Sequence, residues 1–561
     1  MLNSFVRNKK RPILYPGSVG IILCCISELI LADITSLGDN STSPHQPKFV
    51  LPTIMLGTES EQKRLPFTQI LIKKIDIIGN TVLPDSTLTA IAQSYLNKRL
   101  LFSAIQKLRD ELTSAYVNQG YVTSGVILPN QTIRNHTIVF HVIEGIRSRT
   151  VVETDGRFRE ETIIEKLGLS EGSIVNTIAL EQQLQLLQRD HRIHQVKAEL
   201  IPGSQFGESE LTVSLEEAIP YRVSVGANNL RSPTIGAEGI HLNLYHGNVT
   251  GVGDEVFLGL NVSEGLEEIN AQYEFPLFRP GFSVNTHIDW AESDIIDNNF
   301  DDLDIKSEAQ TYGITLKQTL VQSPSKQIGL FLTGEYLRTK SFLLGSGFSF
   351  SAGPERGVSK VAAVRLGLDM TFGGTDHVLS LRTSLSQGLD IAGATKNSGN
   401  TPDGQFLKIL GQVQWVHNLT FMKSQFIART EFQFSDSPLL GIEKFSVGGY
   451  SSVRGYRENL LVRDNGVVAS IEHRLPVWRS ESNASHLTFA SFVDVGYSRD
   501  KRDTTTGSER LLSAGIGLLG TYAKNFTYQV YWGHAFKDID TFQESNLQDD
   551  GFHFTTQLTW P

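Results

Sequence analysis

The chemistry open to this chain rests on one loop cation and one strand carboxylate. Arg454 stands in the tetrad Val453, Arg454, Gly455 and Tyr456, at the middle of a glycine- and serine-rich loop running from Phe445 to Glu458. About forty residues later comes F-V-D-V-G, from Phe492 through Asp494 to Gly496, with the alternation of a strand. A guanidinium is always ionised and presents a planar fork of donors that matches a carboxylate, so Arg454 is suited to dock its loop onto a wall carrying Asp494. Gly455 lets the backbone turn sharply beside it. The plainer alternative is a loop arginine solvated at the surface. Enzyme chemistry has no such footing: the chain contains no G-x-S-x-G elbow, no H-E-x-x-H and no P-loop, and neither a catalytic residue nor a cofactor is expected. Asp297, Asn299, Asp301 and Glu308 fall at positions 1, 3, 5 and 12 of a calcium loop, but position 6, where the turn wants glycine, is Asp302. A solvated acidic loop is the ordinary explanation, and no metal site is expected.

Parity assigns these groups to faces. On 486–496, Leu487, Phe489, Val493 and Val495 form an apolar face, which leaves Phe492, Asp494 and Gly496 on the other. On 465–475, Glu472 and Arg474 share a face opposite Ile471, His473 and Leu475, and on 423–435 Arg429 and Glu431 likewise share one. These charges would line a polar lumen. Two further stretches give the same pattern: Phe526, Tyr528, Val530 and Trp532 point away from Thr527 and Gln529, and Phe552, Phe554, Leu558 and Trp560 point away from His553, Thr555, Gln557 and Thr559.

The elements that must hold these residues are strands. From Tyr221 onward the helical period is absent, and sixteen strands are predicted: 221–229, 238–246, 254–262, 268–276, 281–290, 309–320, 326–338, 359–372, 376–388, 405–418, 423–435, 465–475, 486–496, 511–521, 526–534 and 551–560. Odd-to-even connections are mostly long and polar, such as 339–358 and 436–464, whereas even-to-odd ones are mostly tight, such as 277–280 and 321–325. With the N-terminal half periplasmic, that asymmetry is the one an outer-membrane barrel gives, and the fold expected for 218–561 is an all-β transmembrane barrel with 436–464 folded inward. A soluble β-sandwich would share the period but would explain neither the loop asymmetry nor the aromatic-rich last strand. Only 40% of residues are hydrophobic, which is no objection, because strands that alternate apolar outward and polar inward average to a water-soluble composition.

Ahead of the barrel, the order β-α-α-β-β occurs twice, over 67–145 and 146–217. The first unit has a run at 70–78, helices at 84–96 and 102–118, and strands near 121–128 and 136–143; the second has strand 148–153, helices 159–167 and 178–189, and strands 193–201 and 209–216. Each can bury helix faces on a three-stranded sheet, an α+β arrangement. Residues 33–66, with four prolines and no helical period, read as a flexible leader. Residues 1–32 have the layout of a secretory signal: Arg7, Lys9, Lys10 and Arg11, then an apolar stretch from Gly17 to Leu31, then Ala32. A membrane anchor is the alternative, but the run is short and Glu28 interrupts it. Both cysteines, Cys24 and Cys25, lie in this segment, so the exported chain should carry no disulfide. The net charge of −10 becomes −13 once the segment's four cations and one anion are removed, which argues against a nucleic-acid partner.

Taken together, the loop and strand motifs make residues 67–561 resemble the TpsB transporters of two-partner secretion, the ShlB/FhaC/HecB-type hemolysin secretion and activation proteins, within the superfamily of POTRA-bearing outer-membrane barrels. Val453 to Tyr456 match the superfamily's loop motif and fall between the eleventh and twelfth strands, and Phe492, Asp494 and Gly496 match its F-x-D-x-G pattern on the thirteenth. Weaker echoes are G-V-G-D at 251–254 and the aromatic-rich terminal strand. Departures are Asn228-Asn229 where an Asp-Asn pair is expected, Pro561 after the final aromatic, and a leader unlike an amphipathic plug helix. The resemblance implies a POTRA pair that captures an unfolded, TpsA-like exoprotein and a barrel that threads it to the cell surface, with outer-membrane lipid and the barrel assembly machinery, met through the C-terminal strand, as further partners. A barrel-assembly factor shares both motifs but usually has three or more POTRA units; a passive porin would have none.

Overall fold

The computed structural model describes residues 48–50, 69–168, 170–277, 281–501, 508–539 and 545–561, so the expected signal at 1–32 and most of the leader at 33–66 lie outside the described residues. The described residues divide into two compact units, one within 42–220 together with 248–253, the other within 221–247 and 254–561.

In the first unit the elements run β1 (Lys48–Val50), β2 (Ile70–Ile72), β3 (Lys74–Ile78), α1 (Asp85–Gln93), β4 (Lys98–Leu100), α2 (Phe102–Asn118), β5 (Gly125–Ile127) and β6 (Thr137–Ile143). They continue with β7 (Ile146–Thr154), α3 (Glu160–Lys166), α4 (Thr177–Gln188), β8 (Ile193–Pro202) and β9 (Glu208–Glu217). The two repeats share one topology. In the first, β6 is parallel to β3 and antiparallel to β5; in the second, β9 is parallel to β7 and antiparallel to β8. Apolar residues three or four apart put one stripe of each helix on its sheet. Ile105, Leu108, Leu112 and Tyr116 of α2 thus pack on Ile138, Phe140 and Val142, and Leu180, Leu184 and Leu187 of α4 on Val196, Ala198, Leu211 and Val213. Each fully buried leucine contributes roughly 1.5–3 kcal/mol. At the end of α4, Asp190 accepts from Arg192 at 2.7 Å and Lys166 at 2.9 Å. Burial alone would raise the Asp190 carboxyl, but the two cations hold it below the usual carboxylate range.

Two details differ from expectation. The run 70–78 is broken at Lys73, where the amides of Lys73 and Lys74 both donate to His136 O, at 2.9 and 3.2 Å, and Ile70–Ile72 pairs instead with β4. Inside the expected leader, β1 pairs in parallel with β8. Strands of three residues are too short to carry a readable period.

The second unit is a closed barrel of sixteen long strands, with the two-residue strand Ser346–Gly347 added in a loop. Every predicted strand has its counterpart, from Tyr221–Asn228 to Phe552–Trp560. The first and last pair antiparallel, with Val223 opposite Trp560 and Asn228 opposite Thr555. Among the described residues no helix is long and apolar enough to cross a membrane; the barrel crosses with strands. Strands 306–323 and 326–343, of 18 residues each, outrun their predicted lengths. Past the lipid band the ladder continues, with Gln310 opposite Arg338 and Glu308 opposite Lys340, and polar residues there erase the alternation that marks a strand in sequence. Glu308 therefore lies in a strand and not at the end of a calcium loop, while the Asp297 carboxylate accepts from the amide and side chain of Asn299, each at 2.9 Å.

Ile471, Val493, Ile516 and Trp532, on neighbouring strands, are all exposed on the outer face. The orientation of this wall is testable: a tag inserted after Gly347 should be detected on intact cells, and one between Ser323 and Pro324 only after the outer membrane is permeabilised. The reverse pattern would refute the assignment of long loops to the surface.

Candidate functional site

Loop 436–464 builds its own small core against the barrel wall. Phe445–Val447 and Leu461–Arg463 form an antiparallel pair, and Phe445, Val447, Val453, Tyr456 and Leu461 are buried together with Val468 and Leu511 of the wall. Glycines make the close approach possible. Gly455 has φ +91°, and a Cβ there would lie 2.7 Å from Gly533 O; a Cβ on Gly496 would collide with Val447 and Val453. Tyr456 Oη donates to Leu512 O at 3.0 Å and accepts from the Lys537 amide at 3.2 Å.

This packing sets Arg454, only 4% exposed, against Asp494, which is fully buried. Arg454 Nε donates to Asp494 Oδ2 at 2.8 Å, Nη2 donates to Oδ1 at 2.9 Å, and the Arg454 backbone amide also donates to Oδ2 at 3.0 Å. The fork is thus bidentate and backbone-registered. Its remaining donors are used as well: Nη1 bonds Glu472, and Nη2 reaches Ser470 Oγ at 3.1 Å. Glu472 accepts in addition from Arg474 Nε at 2.6 Å and Tyr531 Oη at 3.0 Å. The guanidinium carbon lies 3.7 Å from the centre of the Phe492 ring and 4.7 Å from that of Tyr531, so aromatic faces cover what the carboxylates leave open. Such a group can hold a loop in place.

All seven motif residues therefore converge on one spot. Glu472 and Arg474, expected only as lumen charges, join the cluster directly. Arg429 and Glu431 lie opposite Ser470 and Val468 on the same face but do not enter the fork.

A second anchor was not foreseen. Glu443, 2% exposed, accepts from Arg365 Nη2 at 2.7 Å and from Lys408 Nζ at 2.6 Å. Arg365 is itself held by Glu335, with Nε to Oε2 at 2.9 Å, and Lys408 also donates to Gln433 Oε1 at 3.1 Å. The polarity is reversed relative to the first anchor: the loop supplies the anion and the wall the cations. A signal existed in the wall strands, since Arg365 sits between the exposed Val364 and Leu366 and Lys408 between the exposed Leu407 and Ile409, which aims both cations inward. Nothing in the loop marked Glu443. At the barrel seam, Asn229 also has a structural part: its Oδ1 accepts from the Phe554 amide at 2.7 Å and its Nδ2 donates to Phe552 O at 2.9 Å.

The profile of the family described as haemolysin secretion/activation protein ShlB/FhaC/HecB matches residues 207–520, and that of the ShlB-type POTRA domain matches residues 70–145. Among curated relatives, the outer membrane transporter CdiB of Dickeya dadantii is 24% identical over 459 residues, 78% of each chain. The heme/hemopexin transporter protein HuxB of Haemophilus influenzae strain 86-028NP is 23% identical over 83% of each. Of solved structures, CdiB from Escherichia coli superposes with a TM-score of 0.73 at 19% identity, covering 98% of this chain and 100% of that one, a likeness of fold. BamA from Haemophilus ducreyi lacking POTRA domains 1-3 gives 0.53 at 15% identity, over 87% and 100%. With a profile that spans more than half its length, the chain belongs to the ShlB/FhaC/HecB family of haemolysin secretion/activation proteins.

Proposed function

We propose that this chain captures an unfolded exoprotein in the periplasm through its two β-α-α-β-β modules and threads it through the barrel to the cell surface. It is an outer-membrane transporter of two-partner secretion and not an enzyme. The exoprotein belongs with the hemolysin, heme/hemopexin and CdiA-type cargoes after which the related transporters are named. The observation that carries the reading is the inward-folded loop held by two buried ionic anchors: a passive porin gains nothing from a loop pinned to its inner wall, whereas a protein-conducting pore needs a gate. Among the described residues there are two modules, where an assembly factor of the superfamily usually has three or more. No nucleotide-binding motif is present, so folding of the exoprotein outside the cell supplies the direction.

Capture and conduction are separable in this scheme. Deleting 67–145 while keeping the signal and barrel should leave a heat-modifiable, membrane-inserted barrel that secretes nothing; normal exoprotein in the medium would sink the capture role.

A further inference from the structure

The tight turn at 373–376 brings together three groups that the loop anchors do not use. Strands His377–Leu389 and Leu407–Asn418 pair antiparallel with His377 directly opposite His417, and Asp376 precedes His377 in the turn. One ligand atom from each of Asp376, His377 and His417 lies within 4.8 Å of the others. Because the turn is one of the short connections, the topology puts the cluster at the periplasmic end of the wall. His417 shares its face with Trp415, two residues earlier and exposed on the outside of the barrel.

The surroundings hold all three side chains in place. The Gly374 amide donates to His377 O at 2.8 Å, and the Asn418 amide donates to Asp376 O at 2.7 Å, which fixes the turn against the neighbouring strand. The His377 ring lies over Gly374, where a Cβ would collide with it. Trp415 stacks on the His417 ring, with centroids 5.6 Å apart and planes within 17°. His377 Nδ1 hydrogen-bonds Asp376 Oδ1 at 2.8 Å, while Asp376 Oδ2 lies 3.9 Å from His417 Nδ1, too far for a hydrogen bond. That nitrogen is shielded from solvent and has no hydrogen-bond partner. An ordinary polar rim does not account for this, since a shielded polar atom normally finds a partner.

Two imidazoles and a carboxylate form the protein ligand set of an open divalent site, whose fourth position is left to water. Imidazole favours borderline ions such as zinc over magnesium or calcium. Ligand atoms that share a tetrahedral zinc at about 2.0–2.1 Å stand about 3.3 Å apart, so side-chain movements of roughly 1 Å close this cluster on an ion with the backbone unmoved. We infer that Asp376, His377 and His417 form a binding site for a borderline divalent cation of the zinc class, which staples the turn to the adjacent strand at the periplasmic rim. The site is independent of the loop anchors and of the capture role.

The probe is zinc alone, added to the full-length chain purified in detergent without a histidine tag and stripped with a chelator. In equilibrium dialysis the wild type should take up one more zinc ion than the His377→Ala/His417→Ala double variant, and Asp376→Asn, His377→Ala and His417→Ala should each weaken that binding at least tenfold. His534→Ala, exposed near the opposite end of strand Phe526–Ala535, should leave it unchanged. Heat-modifiability on gels confirms that each variant is a folded barrel. Cobalt gives a second readout: the visible absorption of the four-coordinate ion should appear with the wild type and be lost in the double variant. A wild-type chain that takes up no more zinc than the double variant, or unchanged binding in both single histidine variants, would overturn the proposal.

Discussion

Arg454→Ala and Asp494→Ala should each abolish most secretion while the barrel still folds and inserts. Removing the guanidinium leaves Asp494 buried with, among the described residues, only the Arg454 backbone amide as a donor, and truncating one member of a buried ion pair costs about 3–5 kcal/mol. The loop would detach in preference to bearing that cost in place, because detachment lets water reach a carboxylate that the docked loop keeps fully buried. The double variant should be no worse than either single one, since the two residues act as a unit. Arg454→Lys should rescue only in part. It keeps the charge but cannot span both Asp494 oxygens and Glu472 at once. The measurement is exoprotein in the medium per inserted barrel, and near-wild-type export by either alanine variant, or clean additivity of the two losses, would show that this cluster is not a functional lock.

The second large effect is expected at the other anchor. Glu443→Ala leaves Arg365 with Glu335 as a partner but takes from Lys408, a lysine 8% exposed, the only carboxylate it pairs with among the described residues. An unpaired buried cation again costs about 3–5 kcal/mol, and here the loop is the part free to move. Purified Glu443→Ala barrel should therefore be cut within 436–464 at least tenfold faster by protease than the wild type, and secretion should drop several-fold. Adding Lys408→Met removes the stranded charge and should restore much of the protection, because replacing both partners by apolar groups is far less costly than orphaning one. Equal protease resistance of Glu443→Ala and the wild type would mean that this contact does not hold the loop.

Sequence is most informative where a single physical rule acts over many residues. Alternation in the barrel strands reflects a wall with lipid on one side and a polar lumen on the other, so the inward aim of Asp494, Glu472, Arg474, Arg429 and Glu431 followed from parity alone. The i, i+3 and i+4 spacing of Ile105, Leu108 and Leu112 likewise fixed a helix and its buried face. β1, β2 and β4 carry no such signal, because their three residues hold no period and their pairing depends on backbone geometry.

By itself the sequence determined which stretches form the barrel strands, which face of each meets lipid, and that a forked cation and an inward carboxylate were available to each other. Tertiary structure decided the rest. Arg365, Lys408 and Glu443 come from three separate segments, and their meeting depends on how deeply the loop hairpin enters the barrel, which is set by the packing of Phe445, Val447 and Val453 on the wall. Which carboxylates share Arg454, and which edge of the second repeat is covered, depend in the same way on distances between elements far apart in the chain, and local periodicity has no reach over those distances.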